Sequence, residues 1–356
     1  MALIGPTFSL PANASRFFLK REIALSQPIG SMQLAISEND PYLFNSRYQP
    51  NLIKYDEQYC TAVSAIGVEY RIPTLDYIET ILHLLPENPL VIDIGCGQGE
   101  FVFSLRSIGV EAFGYDPVVR VSSPYLRSRY WEASDLPGDL YVMRCVLPHI
   151  QSPWDFISEI THSSPQALIL IEFQRLEWIL ENAIWYQFSH DHVNIFSIED
   201  FVARYEIVRS GTYSNGEWGW VLIDPSKSVT IQPQLNLAEI LDNKVMSLFE
   251  EKERFLTNAK KLNRTLVIWG AAGKGIVLAK SLQETGLTKY AIDADKHRWN
   301  LYLEGSGLEV LSPTQGMKEL TSDSIIIVCN PSHIDQVKGF IGDDYEVTTP
   351  RALAIT

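Results

Sequence analysis

Between residues 90 and 224 short apolar runs alternate with amphipathic ones, and that rhythm is the main organising pattern of the chain. Residues 90–94 read as a short buried strand, 100–108 as a helix and 112–115 as a second strand. Residues 139–143 are expected to form a strand, 154–160 a helix, 167–172 a strand, and 219–224 a late strand after a glycine-containing turn. Strands alternating with helices imply a mostly parallel sheet covered on both faces. Upstream, residues 70–85 carry helical spacing, with Ile72, Leu75, Ile78, Ile81, Leu82 and Leu85 on one side, ended by Pro86 and Pro89. Residues 238–262 form a long apolar stripe with Glu and Lys between, expected to pack on a neighbour as a connecting helix. A second strand–turn–helix unit follows: strand 265–269, a glycine turn, helix 276–285, then strands 290–293 and 324–329. The expected fold class is α/β, with two open sheets in tandem. The expected divisions are an irregular N-terminal lead-in over 1–60, a first α/β domain over 61–225, a connecting helix over 226–262 and a second α/β domain over 263–356.

Composition narrows the possibilities. A net charge of −14 without a basic cluster disfavours a nucleic-acid partner, because phosphate binding needs a basic face. No apolar run approaches membrane-spanning length, and no secretory leader pattern opens the sequence. Cys60, Cys96, Cys145 and Cys329 form no C-x-x-C pair, so neither a zinc knuckle nor a disulfide framework is expected. These features lead to the expectation of a cytoplasmic protein, monomer or homodimer, acting on a small molecule.

The chemistry concentrates in three places. The first is the strand-to-helix turn with Asp93, Gly95, Cys96, Gly97 and Gly99. Glycines there let backbone N–H groups approach a ligand. The Gly-x-Gly-x-Gly spacing differs from the dinucleotide fingerprint. About 20 residues on, Asp116 and Pro117 end the second strand, where an acid can accept from ribose hydroxyls. Asp135 and Leu136 precede the third-strand region, the expected adenine contact. The second place is His190-Asp191-His192, followed by a capping-box variant at residues 197–200. A histidine held by a carboxylate suits general-base work near neutral pH. His-x-His could also bind a metal, but the sequence shows no third ligand, so none is expected. His149 is a candidate for the substrate cleft and Tyr59 for a substrate-facing position. The third place is Gly270-Ala271-Ala272-Gly273-Lys274-Gly275, a second turn at a helix N-terminus.

The first turn resembles the first motif of class I methyltransferases, where it lies against the methionine portion of S-adenosylmethionine. Over residues 43–345 the chain resembles the sugar C-methyltransferases, which methylate nucleotide-linked keto-deoxysugars. That resemblance rests on the 43–59 segment, the Gly95 turn, Gly114-Tyr115-Asp116-Pro117, the His190–His192 run with Phe196-Ser197, and the late Gly270 turn with Ile292-Asp293-Ala294-Asp295-Lys296. It implies a class I methyltransferase domain plus a C-terminal Rossmann-like domain, S-adenosylmethionine as cofactor, and His192 as base with Asp191 its carboxylate neighbour. It also implies a nucleotide-sugar at the second turn, with Gly270, Ala271, Ala272, Lys274 and Gly275 against the diphosphate. Three departures stand out. The family's zinc-binding cysteines are missing near residues 27–32, its Glu is Asp191, and its glycine-glycine run is replaced by Ser214-Asn215-Gly216-Glu217-Trp218-Gly219-Trp220. Alternative readings are an O- or N-methyltransferase, a non-catalytic S-adenosylmethionine-binding protein, and a nicotinamide oxidoreductase.

Overall fold

In the computed structural model, residues 1–37, 42–59, 78–229 and 237–355 are described. The apolar run at 90–94 is strand β1 (Leu90–Ile94), and α1 (Glu100–Ser107) follows the first glycine turn. The next strands are β2 (Glu111–Tyr115), β3 (Leu126–Arg127), β4 (Leu140–Arg144) and β5 (Leu168–Gln174), with α2 (Pro153–Ser163) between the last two. A hairpin of β6 (Tyr205–Tyr213) and β7 (Trp218–Ser228) completes the sheet. Its strand order is β6-β7-β5-β4-β1-β2-β3, parallel except at β7, which runs antiparallel to both neighbours. The order reverses between β1 and β4, and a doubly wound sheet binds ligands outside the carboxyl ends at such a point. Both faces are buried, one under Ile92, Tyr141, Ile157 and Ile171, the other under Val91, Phe101, Val142 and Leu170.

The long apolar stripe is helix α3 (Leu237–Leu262), burying Leu241, Val245, Leu248, Phe249 and Phe255. The second unit then forms β8 (Leu266–Trp269), α4 (Lys274–Leu282), β9 (Thr288–Ile292), β10 (Val310–Leu311), β11 (Ile325–Val328) and β12 (Glu346–Thr348). These strands make a parallel sheet ordered β10-β9-β8-β11-β12. Of the helix expected over 70–85, residues 78–82 are helical and burying Ile78 and Ile81; residues 70–77 lie outside the described residues, as does Cys60. No helix among the described residues is long and apolar enough to cross a membrane. Cys96, Cys145 and Cys329 are free thiols.

The N-terminal segment departs from the expected irregular lead-in. Strands Ala2–Pro11, Ile29–Ile36 and Leu43–Asn45, with the short Asn194–Ile195, form a four-stranded sheet in that order. Ile4, Met32 and Leu34 are buried in one core with Val245, Leu266 and Ile276. Pro6 hides this strand in the sequence, since proline cannot donate to a ladder. The ladder takes it at an irregularity between Ile4 and Phe8, where Gly5 has a φ of +63° and its N–H donates to Asp242 at 2.6 Å.

The short helix Ile198–Val202, just before β6, opens on the expected capping box. Ser197 Oγ accepts from the Asp200 N–H at 3.2 Å, and Asp200 accepts from the Ser197 N–H at 2.6 Å. Burial, opposed by those hydrogen bonds, pushes the Asp200 carboxyl up to about 7. A carboxyl raised above its unfolded value of about 3.9 contributes stability below that pH and loses it as pH rises through about 7. The melting temperature of Asp200→Asn is therefore expected to fall less between pH 5 and pH 8 than that of the parent. Parallel melting curves across that range would contradict it.

Candidate active site

A cavity of about 1450 Å³ lies where both sheets point their carboxyl ends. Gly95, Asp116 and Cys145, which follow β1, β2 and β4, line one side; Gly270, Asp293 and Asn330, which follow β8, β9 and β11, line the other. In the first turn Gly95 has a φ of +72°, and a Cβ there would fall 2.3 Å from Val146. Only backbone fits at that point of the wall. The Gly95 N–H donates to Tyr115 O at 2.7 Å. The Asp116 carboxylate accepts from the Gly97 N–H at 3.0 Å and the Val118 N–H at 2.7 Å, so it braces the turn while facing the cavity. Burial raises its pKa, against those two hydrogen bonds.

The second turn repeats this geometry. The Gly270 N–H donates to Ile292 O at 2.8 Å, and Asp293 accepts from the Ala271 N–H at 2.7 Å and the Asp295 N–H at 2.8 Å. A Cβ on Gly275 would fall 1.9 Å from Gly270 O, which makes glycine obligatory there.

The expected cofactor residues separate. Gly95, Cys96, Gly97, Asp116 and Pro117 line the cavity. Asp93 sits behind the turn, fully buried, with neither carboxylate oxygen hydrogen bonded among the described residues; burial, opposed by Arg144, pushes it up to about 7. Gly99 starts α1 with a φ of +87° and packs toward Leu126. Asp135 and Leu136 are not on the wall. Asp135 pairs with Arg129 and accepts from the Glu132 N–H at 2.8 Å, and Leu136 is half exposed. Tyr130 and Trp131 take that part of the wall instead.

The His190–His192 run divides as well. The His190 Nε2 accepts from the Gln49 N–H at 3.1 Å, so its Nδ1 carries the proton and donates to Ser31 O at 3.0 Å. His190 is buried off the cavity wall, a structural link between the run and the N-terminal sheet. Asp191 and His192 do face the cavity. No hydrogen bond joins the Asp191 carboxylate to His192; it accepts weakly from the Ala14 N–H at 3.4 Å, and its Oδ1 has no partner among the described residues. The His192 ring packs edge-on against His149, 4.5 Å between centroids, and His149 Nδ1 donates to Asp191 O at 2.8 Å. Burial and the His149 ring push His192 down to about 4, against the pull of Asp191. His149, Asp191 and His192 each bring a ligand atom within 4.8 Å of the others, so a third potential metal ligand stands beside the pair that the sequence did not reveal.

Tyr59 lines the same wall, its ring 5.0 Å from Tyr55, which lies 6.1 Å from His149. Burial and Asp191 raise the pKa of Tyr59; burial and Tyr59 raise that of Tyr55, whose buried hydroxyl has no hydrogen-bond partner among the described residues. Both phenols stay protonated near neutral pH and present donors.

At the second turn Gly270, Ala272 and Lys274 reach the cavity, whereas Ala271 and Gly275 are buried behind it. Lys274 pairs with Glu217, and Asn330 donates to the other Glu217 oxygen at 3.0 Å. The amine expected to face a diphosphate is thus already engaged. Glu217 escaped the sequence reading except as part of the run that departs from the sugar C-methyltransferase pattern.

Residues 65–206 match the family model described as a methyltransferase domain. No curated protein sequence matches the chain. Among solved structures, the PH0226 protein from Pyrococcus horikoshii is similar at 14% identity over 46% of this chain and 94% of its own, TM-score 0.35. A SAM-dependent methyltransferase from Methanosarcina mazei is similar at 18% identity over 43% of this chain and 98% of its own, TM-score 0.31. Magnesium protoporphyrin IX methyltransferase from Synechocystis PCC 6803 with bound SAH is similar at 16% identity over 49% and 90%, TM-score 0.34. The side-chain-free wall at Gly95, the cavity-facing Asp116 and the aromatic Tyr130 and Trp131 fit an aminoacyl-sulfonium nucleoside. The matched model marks residues 65–206, the stretch that holds these features, as a methyltransferase domain.

Proposed function

We propose that the enzyme methylates a carbon beside a keto group on a sugar or related small metabolite, with residues 61–225 holding the cofactor and residues 263–356 seating the acceptor. The observation that carries this reading is that His192, beside Asp191, faces the same cavity as the Gly95 turn. S-adenosylmethionine bound at that turn supplies a methyl group already activated on sulfonium. The chain's task is then alignment and proton removal. His192 is uncharged at neutral pH and accepts the proton from the carbon next to the carbonyl. Asp191 stabilises the imidazolium so formed, in line with its effect on His192. The electron pair of the broken C–H bond would form the new carbon–methyl bond, the methyl–sulfur pair leaving with the thioether of S-adenosylhomocysteine. While that charge rests on the carbonyl oxygen, the hydroxyls of Tyr55 and Tyr59 are the donors at hand.

A second reading, methylation of a hydroxyl or amine, draws support from the missing Asp191–His192 hydrogen bond, since such acceptors need less base assistance. Heavy water separates the two. With S-adenosylhomocysteine bound and keto-deoxysugars supplied, carbon methylation predicts deuterium uptake beside the keto group without any methyl donor. Methyl transfer to the same sugars with no such uptake would favour the second reading.

The nucleotide linkage implied by the sequence resemblance would bring a diphosphate to the second turn. The charges there bear directly on it.

A further inference from the structure

The cavity wall is acidic. Among the described residues six carboxylates line it, against the three cations Arg144, Lys274 and Arg298. Each cation has buried acid beside it. Arg298 pairs with Asp293 at 3.0 Å and lies 3.5 Å from Asp295, and Arg144 is near enough to Asp93 to oppose the rise that burial gives its pKa. Lys274 is the one cation the second turn itself supplies, and it too is engaged. Its amine pairs with Glu217 and sits 5.0 Å over the Trp178 ring. Glu217 is 1% exposed and Lys274 8%. The second Glu217 oxygen is held by Asn330 at 3.0 Å. Drawing Lys274 away to a phosphate would leave a buried carboxylate uncompensated, a costly state. Four of the turn's amides are committed too: Gly270 to Ile292 O, Ala271 to Asp293, Gly273 to Ala14 O at 2.7 Å and Gly275 to Ala272 O.

We propose that Glu217 is a built-in counter-anion at the second glycine turn, so that the acceptor portion lying there is uncharged and nucleoside diphosphates are excluded. The inference rests on the reading that residues 263–356 seat the acceptor. Glu217 then works as a specificity determinant, by like-charge repulsion of the wrong ligand. It occupies the run in which this chain departs from the sugar C-methyltransferase pattern, so the selectivity belongs to this sequence.

The test compares uridine with UDP, titrated calorimetrically into the full chain with S-adenosylhomocysteine present. In the parent, UDP is expected to bind no tighter than uridine. Glu217→Gln is expected to raise the UDP-to-uridine affinity ratio about ten-fold or more, because a buried charge facing the diphosphate is gone. Glu217→Asp, which keeps the charge, is expected to stay near the parent ratio. Parent binding of UDP about ten-fold tighter than uridine would overturn the proposal. So would an unchanged ratio in Glu217→Gln, including no gain of UDP binding where the parent binds neither ligand. Should Glu217→Gln not fold, Asn330→Lys replaces it by bringing a second cation to Glu217, with the same gain expected and the same failure decisive. The readout needs no turnover, so its failure leaves carbon methylation standing, and failure of carbon methylation leaves it intact.

Discussion

Replacing Gly95 by valine is expected to weaken S-adenosylhomocysteine binding by about thirty-fold or more, equivalent to roughly 2 kcal/mol. Two effects combine. The φ of +72° is strained for any residue with a Cβ, and most for a β-branched one, at a cost on the order of 1–3 kcal/mol. The added Cβ also meets Val146 at 2.3 Å, so either the turn or the wall after β4 must shift, and both line the cavity. Gly109→Ala is the matched control. Its φ is +87° with open space around the added carbon, outside the cavity. It is expected to lower the melting temperature and leave cofactor affinity within about three-fold, or under 1 kcal/mol. Equal losses of affinity in both variants would mean that strain alone, and not the wall at Gly95, governs binding.

His192→Ala is expected to lower kcat by about 10²–10⁴, the usual contribution of a positioned general base. Cofactor binding should change little, because no hydrogen bond or ring contact among the described residues joins His192 to the Gly95 turn. His190→Ala should behave in the opposite way. It removes the links to Gln49 and Ser31 from a residue off the wall, so thermal stability falls while kcat of the folded fraction holds. Unchanged turnover in His192→Ala would remove the proposed base. A kcat loss in His190→Ala matching that of His192→Ala would show that the run acts as a unit.

The pattern of apolar positions made both parallel sheets legible, because a strand buried on two faces reads as a continuous apolar run. Residues 90–94 are β1 to the residue, and the 238–262 stripe is α3 within one position. The first strand of the N-terminal sheet was hidden by Pro6 and Pro11, whose ladder positions only the bulge and the strand end could reveal. At the site, glycines and end-of-strand acids were readable because their role depends on backbone position: Gly95, Gly97 and Asp116 meet in one network. Asp135 and Leu136 lie off the cavity wall, in the irregular segment that follows β3, where Asp135 pairs with Arg129. Nor could sequence spacing disclose that His149 meets His192, or that Glu217 meets Lys274, since 43 and 57 positions separate those partners. The Glu217–Lys274 pairing depends on how the two sheets face one another.

The most direct test of carbon methylation is the fate of the methyl group itself. The enzyme is incubated with methyl-¹³C S-adenosylmethionine and a panel of keto-deoxysugars, free and nucleotide-linked, and the products are read by NMR. The expected result is label bonded to the carbon beside the keto group, with S-adenosylhomocysteine formed in equal amount. Label on oxygen or nitrogen, or cofactor consumed with no labelled sugar, would contradict it.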